Sequence, residues 1–347
     1  MKKFYSIELL RFLSAVSVLL YHYRHFYSPL NILSENNFEA SNNAIPFYNF
    51  LEPIYINGFY GVHLFYAISG FVFAHVYLKV KKETSFKEFS INRLSRLYPL
   101  HFATLIIVSI IQIFFLTKFD SFQLDLINDF YHFFLHVFFI SSWGFENGHS
   151  FNAPIWSVSI EIAIYLIFFL LIKEIKKFQL KLVILINIFL IFLDKLGVVS
   201  LFLECARLFF SGILIFFIVN VNQKFKATFI ISFILLIVSF VGNFKTFLFC
   251  PSLILFFLSF EKFLSNVKIK EKFEIVGNWT YALYLSHVPF QLLIIFILES
   301  YFELPNIYNN HLFFLFYFIS LFLMSHLIFI FYENPLNKKI RKIFLKK

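Results

Sequence analysis

The chain has 347 residues, of which 60% are hydrophobic and only 14% charged, with a formal net charge of +10 and a mean hydropathy of +0.77. A soluble domain carries about a quarter charged residues, so most of this surface is not expected to face water. Lys and Arg gather in short segments between apolar runs, as in cytoplasmic loops, which excludes a nucleic-acid-binding protein.

Met1-Lys2-Lys3 leads into an apolar stretch too long for a signal-peptide core and without a small-residue cleavage site, so it reads as a retained first span. A span needs about 20 apolar residues. Ten candidates follow in order: 5–27, 58–78, 99–117, 155–172, 180–196, 200–221, 226–242, 246–260, 277–298 and 312–332. A further apolar stretch, 128–142, carries Asp129, His132 and His136 and is expected to be a re-entrant or interfacial helix. With Lys2 and Lys3 placed inside, the basic segments Lys79 to Arg96, Lys173 to Lys181, Lys224 with Lys226, Lys262 to Lys272 and Lys338 to Lys347 all fall on the cytoplasmic side. Counting 128–142 as a crossing would send every later basic loop outside. The expected fold is therefore all-α: one transmembrane helical bundle over 1–347, both termini cytoplasmic, no appended soluble domain. The segment 28–57, with Pro29, Pro46 and Pro53, is the one long outer loop.

Charged groups within spans are costly, so each is a functional candidate. Arg11 and His22 lie eleven residues apart, about three turns and about 16 Å, on a face completed by Ala15 and Val18. This places Arg11 towards the cytoplasm and His22 in the outer third; the plain alternative pairs Arg11 with Glu8. In GVHLFYAISGF, Ser69 and Gly70 allow close helix approach. His63, near the outer end of that span, is given no role. NRLSRLYPLH sets Arg93 and Arg96 three apart, before a Pro99 that suits a helix start. Paired guanidinium forks suit phosphate, against ordinary membrane-edge anchoring. APIWSVSIEIAIYL, with Trp156, opens the fourth span and puts Glu161 about two turns inside the outer boundary, where a carboxylate must be paired, protonated or in a wet cavity. Glu204 and Arg207, three apart, are expected to form a local ion pair. YALYLSHVPF holds Tyr281, Tyr284 and His287, the last two able to meet on one face, and YENP places Glu333 at the inner end of the last span. Cys205 and Cys250 both sit in apolar runs and read as buried thiols; no metal-ligand spacing is present.

Together these strings resemble the acyltransferase-3 superfamily of integral membrane acyltransferases, nearly end to end. The Arg11-to-His22 pattern, GVHLFYAISGF, NRLSRLYPLH, WSVSIEIAIY, YALYLSHVPF and YENP occur in that family's order. His63 departs from it, standing where the family often has an acidic residue. The resemblance implies a multi-pass protein of the bacterial inner membrane. It would move an acyl group, usually acetyl, from cytoplasmic acetyl-CoA or another acyl-CoA to a hydroxyl of a cell-surface or lipid-linked glycan. It implies no permanently bound cofactor. His22 is then the expected general base, since imidazole is poised to take a hydroxyl proton near neutral pH. Glu161 would orient His22 or bind the acceptor. Arg93 and Arg96 would hold CoA phosphates, and Arg11 would line the path of the pantetheine arm. Ser69, Trp156, Tyr284 and His287 are acceptor-site or structural candidates. An acyl-imidazole relay is the alternative chemistry. The competing functions are a transporter or flippase for a polar lipid or sugar, and a glycan polymerase or ligase using a lipid-linked donor.

Overall fold

The computed structural model describes residues 3–27, 45–80, 83–125, 127–198, 200–221, 225–241, 248–261, 267–302 and 306–345. Among these residues every regular element is helical, as hydrocarbon demands of segments that must satisfy their own backbone. In chain order they are α1 (Tyr5–Tyr23) with a 3-10 turn Arg24–Phe26, α2 (Tyr48–Asn57), α3 (Tyr60–Phe73) widening into a π-turn Ala74–Leu78, α4 (Phe86–Phe119) and α5 (Phe130–Val137). Then come α6 (Ile155–Phe178), α7 (Leu180–Lys195), α8 (Leu201–Val221), α9 (Phe225–Val241), α10 (Cys250–Phe260) and α11 (Val267–Asn278). The chain ends with α12 (Thr280–Tyr301), a 3-10 turn Ile307–Asn309, α13 (His311–Ile328), a π-turn Phe329–Glu333 and α14 (Asn334–Leu345).

A helix stands at each of the ten expected spans. Six helices, beginning at Tyr60, Phe86, Ile155, Leu201, Thr280 and His311, are long and apolar enough to cross a membrane, which makes this a multi-pass membrane protein. α1, α7, α9 and α10 fall outside that six. Helix α5 has 8 residues, about 12 Å of rise, against a hydrocarbon core of about 30 Å. The stretch 128–142 thus holds a helix too short to cross such a core by itself. Segment 28–57 differs from the expected loop in its second half, where α2 forms with Pro53 inside it. Residues 28–44, Lys2, Lys224, Lys262 and the last two lysines, used above for topology, lie outside the described residues.

Pro99 does not start a helix. α4 begins at Phe86 and runs through Pro99, so Arg93 and Arg96 sit on a helix rather than in a loop. Proline removes the backbone donor for Ser95 O and crowds the preceding turn; close by, Tyr281 Oη donates to Leu97 O at 2.8 Å and Tyr332 Oη to Pro99 O at 3.2 Å.

The fold divides into two compact units. The first comprises 1–14, 60–86 and 160–278; the second comprises 15–59, 87–159 and 279–347. In the first unit α3 packs against α8 through two glycines. A Cβ on Gly70 would lie 1.8 Å from Phe209 O, and one on Gly212 would lie 1.9 Å from Ala67 O. Small residues let the two backbones touch, the usual device of helix association in lipid. Phe73, Tyr165, Phe168 and Phe209 fill the space around this crossing. At the start of α1, Ser6 N and Oγ both donate to Glu261 Oε2 (2.8 and 2.6 Å), which satisfies a backbone donor the helix itself leaves open. In the second unit α12 packs on α13, and Gly58 fits against α1, where a Cβ would lie 2.1 Å from Ser17 O.

Candidate active site

The last turns of α1 bring His22 into the second unit. Its ring is part-exposed, while Ala15 and Val18 on the same stripe are buried. His22 Nδ1 lies 2.6 Å from His287 Nε2, with the ring planes 21° apart and the centroids 4.9 Å apart. The centroids are much further apart than the nitrogens, so the rings meet edge to edge and nearly coplanar. His287 Nδ1 lies 2.6 Å from the carbonyl of Tyr284, one turn earlier on α12. His25 is near-parallel to His22 as well, at 4.9 Å and 22°. The helix end leaves carbonyls without intrahelical donors, and Gln291 Nε2 donates to His22 O at 3.1 Å.

Pro289 explains the next contact. Lying inside α12, it has no N–H for the carbonyl four residues back, that of Leu285. Asn152 Nδ2 takes that place at 3.0 Å and also bonds Thr104 Oγ1 at 3.1 Å. Three residues before α6 begins, Asn152 thereby ties the approach of that helix to α12. Ser157 Oγ and Tyr284 Oη lie 2.9 Å apart, and each also bonds Pro154 O at 3.1 Å. Asn152, Ser157, Tyr284 and His287 are all buried. The site is thus a polar web made dry on one side, with His22 at its open margin.

The expected site residues divide between the units. His22, Tyr284 and His287 come together as described. Trp156 is half-buried, with its ring 6.5 Å from that of His149. Arg93 and Arg96 share a face of α4, both half-buried, and Ser95 between them donates to Asn337 Oδ1 at 2.9 Å. Arg11, Ser69 and Glu161 belong to the first unit. Arg11 is paired with Glu8 at 3.0 Å, the plain alternative. Ser69 Oγ lies 3.5 Å from Tyr165 Oη, beside the glycine crossing. Glu161 Oε1 is shielded from solvent. The expected Glu204–Arg207 pair is replaced by longer-range partners: Glu204 lies 3.3 Å from His63, and Arg207 lies 3.1 Å from Asp194 on α7. Packing α3 and α7 against α8 supplies these groups, which sequence spacing cannot show. Among the described residues no group of three or more potential metal ligands occurs.

A model of the acyltransferase-3 family, described as an acyltransferase domain, matches residues 4–330. The chain belongs to the acyltransferase-3 family. No curated protein and no solved structure matches it. In this acyltransferase-3 chain, two of the sequence blocks meet directly: Ser157 of WSVSIE bonds Tyr284 of YALYLSH. The first-span block joins them through His22 and His287. Sequence reasoning does not single out His25, Asn152 or Ser157. The spacing of three between His22 and His25 is a readable sign of a shared face, whereas Asn152 has no local signal.

Proposed function

We propose that this acyltransferase-3 protein transfers an acyl group, most simply acetyl, from cytoplasmic acyl-CoA to a hydroxyl of a glycan-like acceptor, as a protein of the bacterial inner membrane. The observation that carries the reading is His22: a part-exposed imidazole with one nitrogen engaged at 2.6 Å by a buried partner. A sugar hydroxyl is a weak nucleophile until a base takes its proton. In the proposed step His22 accepts that proton as the hydroxyl oxygen attacks the thioester carbonyl carbon. The C–O bond forms, the tetrahedral intermediate collapses, and the C–S bond breaks. The thiolate leaves and takes the proton from the His22 imidazolium. Base and acid are one residue, and no external reductant or oxidant is needed.

Arg93 and Arg96 are assigned to the phosphates of the donor, because two forked guanidiniums on one helix face match phosphate oxygens. Arg11 and Glu161 keep their proposed parts, the pantetheine path and acceptor binding, from the family resemblance rather than from geometry. The test is labelled acetate supplied to cells, or labelled acetyl-CoA to inside-out membrane vesicles, with and without the gene, followed by mass analysis of the glycans. The expected result is gene-dependent label and a mass increase of one acetyl group per modified sugar. Glycans that are present, unmodified and unchanged by the gene would overturn the reading. Loss of the glycan itself from the surface would point to a transporter or polymerase instead.

A further inference from the structure

We infer that His287 is a positioning residue: it fixes the tautomer of His22 so that Nε2, not Nδ1, is the nitrogen that takes the acceptor proton. This rests on the functional reading above for its consequence, but not for its geometry. A carbonyl oxygen carries no hydrogen, so the 2.6 Å contact between His287 Nδ1 and Tyr284 O places the hydrogen on Nδ1. A neutral imidazole has one N–H, which leaves His287 Nε2 as an acceptor. The 2.6 Å contact with His22 Nδ1 then requires the hydrogen on His22. The remaining lone pair of His22 falls on Nε2.

A doubly protonated His287 would reverse the direction of that bond. His287 is 1% exposed, and its bonded partners are a neutral carbonyl and a neutral imidazole. A buried cation with only neutral partners is costly. The neutral relay, from Tyr284 carbonyl through His287 to His22, is the arrangement that satisfies each atom. The surroundings hold it in register. Pro289 and Asn152 shape α12 at this turn, Gln291 ties down the His22 carbonyl, and the His25 ring lies near-parallel to that of His22 at 4.9 Å.

The relay has the logic of a Ser-His-Asp triad with a neutral orienter in place of the carboxylate. In such triads a wrong tautomer costs about 10⁴ in kcat with the geometry intact. When His22 takes the proton on Nε2, its Nδ1–H bond to His287 becomes charge-assisted and lowers the climb to the transition state. His287 itself stays neutral and transfers no proton.

The decisive measurement is ¹⁵N NMR of histidine-labelled full-length protein in nanodiscs, with the His22 signals identified by their loss in His22→Gln. The expected spectrum has a protonated Nδ1 and an unprotonated Nε2 on His22 in the wild type. A His22 protonated on Nε2 would overturn the proposal without any need for activity. His287→Leu removes the acceptor, and kcat is expected to fall about 10²–10⁴-fold with the donor KM near wild type. His287→Gln retains a carboxamide oxygen able to accept from Nδ1–H and is expected to recover part of that loss together with the wild-type tautomer. An unchanged kcat in His287→Leu, or a His22 tautomer unchanged by it, would sink the positioning role. Should His287→Leu fail to fold, the wild-type spectrum and His287→Gln decide. If His22→Ala retains full transfer, the functional reading falls, and the tautomer measured by NMR stands separately.

Discussion

The two units treat their ionisable groups differently. In the first, opposite charges meet, Arg11 with Glu8, Arg207 with Asp194, Lys173 with Glu83 and Lys3 with Glu274, and the His63 imidazole lies beside the Glu204 carboxylate. In the second, buried imidazoles bond to neutral groups. His287 meets a carbonyl and another imidazole, His101 Nε2 donates to His136 O at 2.8 Å, and His136 Nε2 lies 3.1 Å from Ser150 Oγ. A charge paired with its opposite is quenched as a reagent. In the proposed reading, His22, oriented by the neutral His287, keeps a lone pair on Nε2 for proton transfer. The same residue types therefore read as structural in one unit and as chemical in the other.

The sharpest test of that contrast is His22→Ala. Loss of the proposed base is expected to lower transfer about 10²–10⁴-fold, with little change in stability because the ring is part-exposed. Turnover and thermal unfolding of the purified variant check both halves. A folded variant with near-normal turnover would place the second unit's imidazoles with the structural ones.

The converse is expected for Arg207→Met. It removes a guanidinium whose side chain is 7% exposed and leaves Asp194 without this partner, in a side chain 33% exposed. Breaking buried pairs costs about 3–5 kcal/mol, and the exposure of Asp194 puts this one at the lower end, about 3 kcal/mol. Denaturant unfolding in detergent measures it. A double variant with Asp194→Asn should cost less than the sum of the singles if the pair is direct. A collapse of turnover without loss of stability would show that the first unit's charges do chemistry too.

Gly212→Ala probes the packing that holds those charges. Its Cβ would fall 1.9 Å from Ala67 O, a backbone atom that cannot swing aside, so α3 and α8 must part. Overpacking of this kind costs about 1–3 kcal/mol. An unchanged melting temperature would mean that the crossing is looser than the contacts require. Arg96→Lys acts on the other unit at a similar scale. It keeps the charge and loses the fork, and a tenfold rise in donor KM, about 1.4 kcal/mol, is expected with kcat at saturation largely retained. An unchanged donor KM would return Arg96 to membrane anchoring.

Much of this organisation is legible in residue patterns. Apolar length locates a helix at all ten expected spans, and the eight-residue α5 agrees with leaving 128–142 uncrossed. The family blocks include the turn of α12 that carries Tyr284 and His287. What is not legible is tertiary. Nothing local tells Glu204 to prefer His63 over Arg207, since a partner three residues away competes with one brought by a packed helix. His22 and His287 are 265 residues apart, so their contact has no spacing signature. Local preference assigns Pro99 to a helix start, and the hydroxyls of Tyr281 and Tyr332, which meet the carbonyls around it, come from the far end of the chain.

Asp129 is where the contrast between the units can be sharpened most finely, because here a second-unit imidazole does have a carboxylate. Asp129 Oδ1 accepts from both His132 N and His132 Nδ1 at 2.8 Å, capping α5. His132 Nε2 accepts from Asn147 N at 3.2 Å, so this imidazole has both nitrogens occupied and no lone pair left for chemistry. The hydrogen bonds from the His132 backbone and ring hold the Asp129 carboxyl below its usual range. A depressed folded pKa means stabilisation that is present above the unfolded value and lost as pH falls through the folded one. The effect belongs to acidic solution and not to the neutral range. Asp129→Ala removes the cap and is expected to cost about 1 kcal/mol. Asp129→Asn keeps an acceptor oxygen, so it should retain most of the cap while abolishing the acid-range pH dependence. Amide hydrogen exchange over Phe130–Val137, followed from neutral to acidic pH, reads both effects at the site. Faster exchange in Ala than in Asn, with transfer activity unchanged in each, would confirm a structural imidazole among chemical ones. Equal protection in wild type and Ala would mean that α5 is held by its packing and that the His132–Asp129 contact contributes nothing measurable.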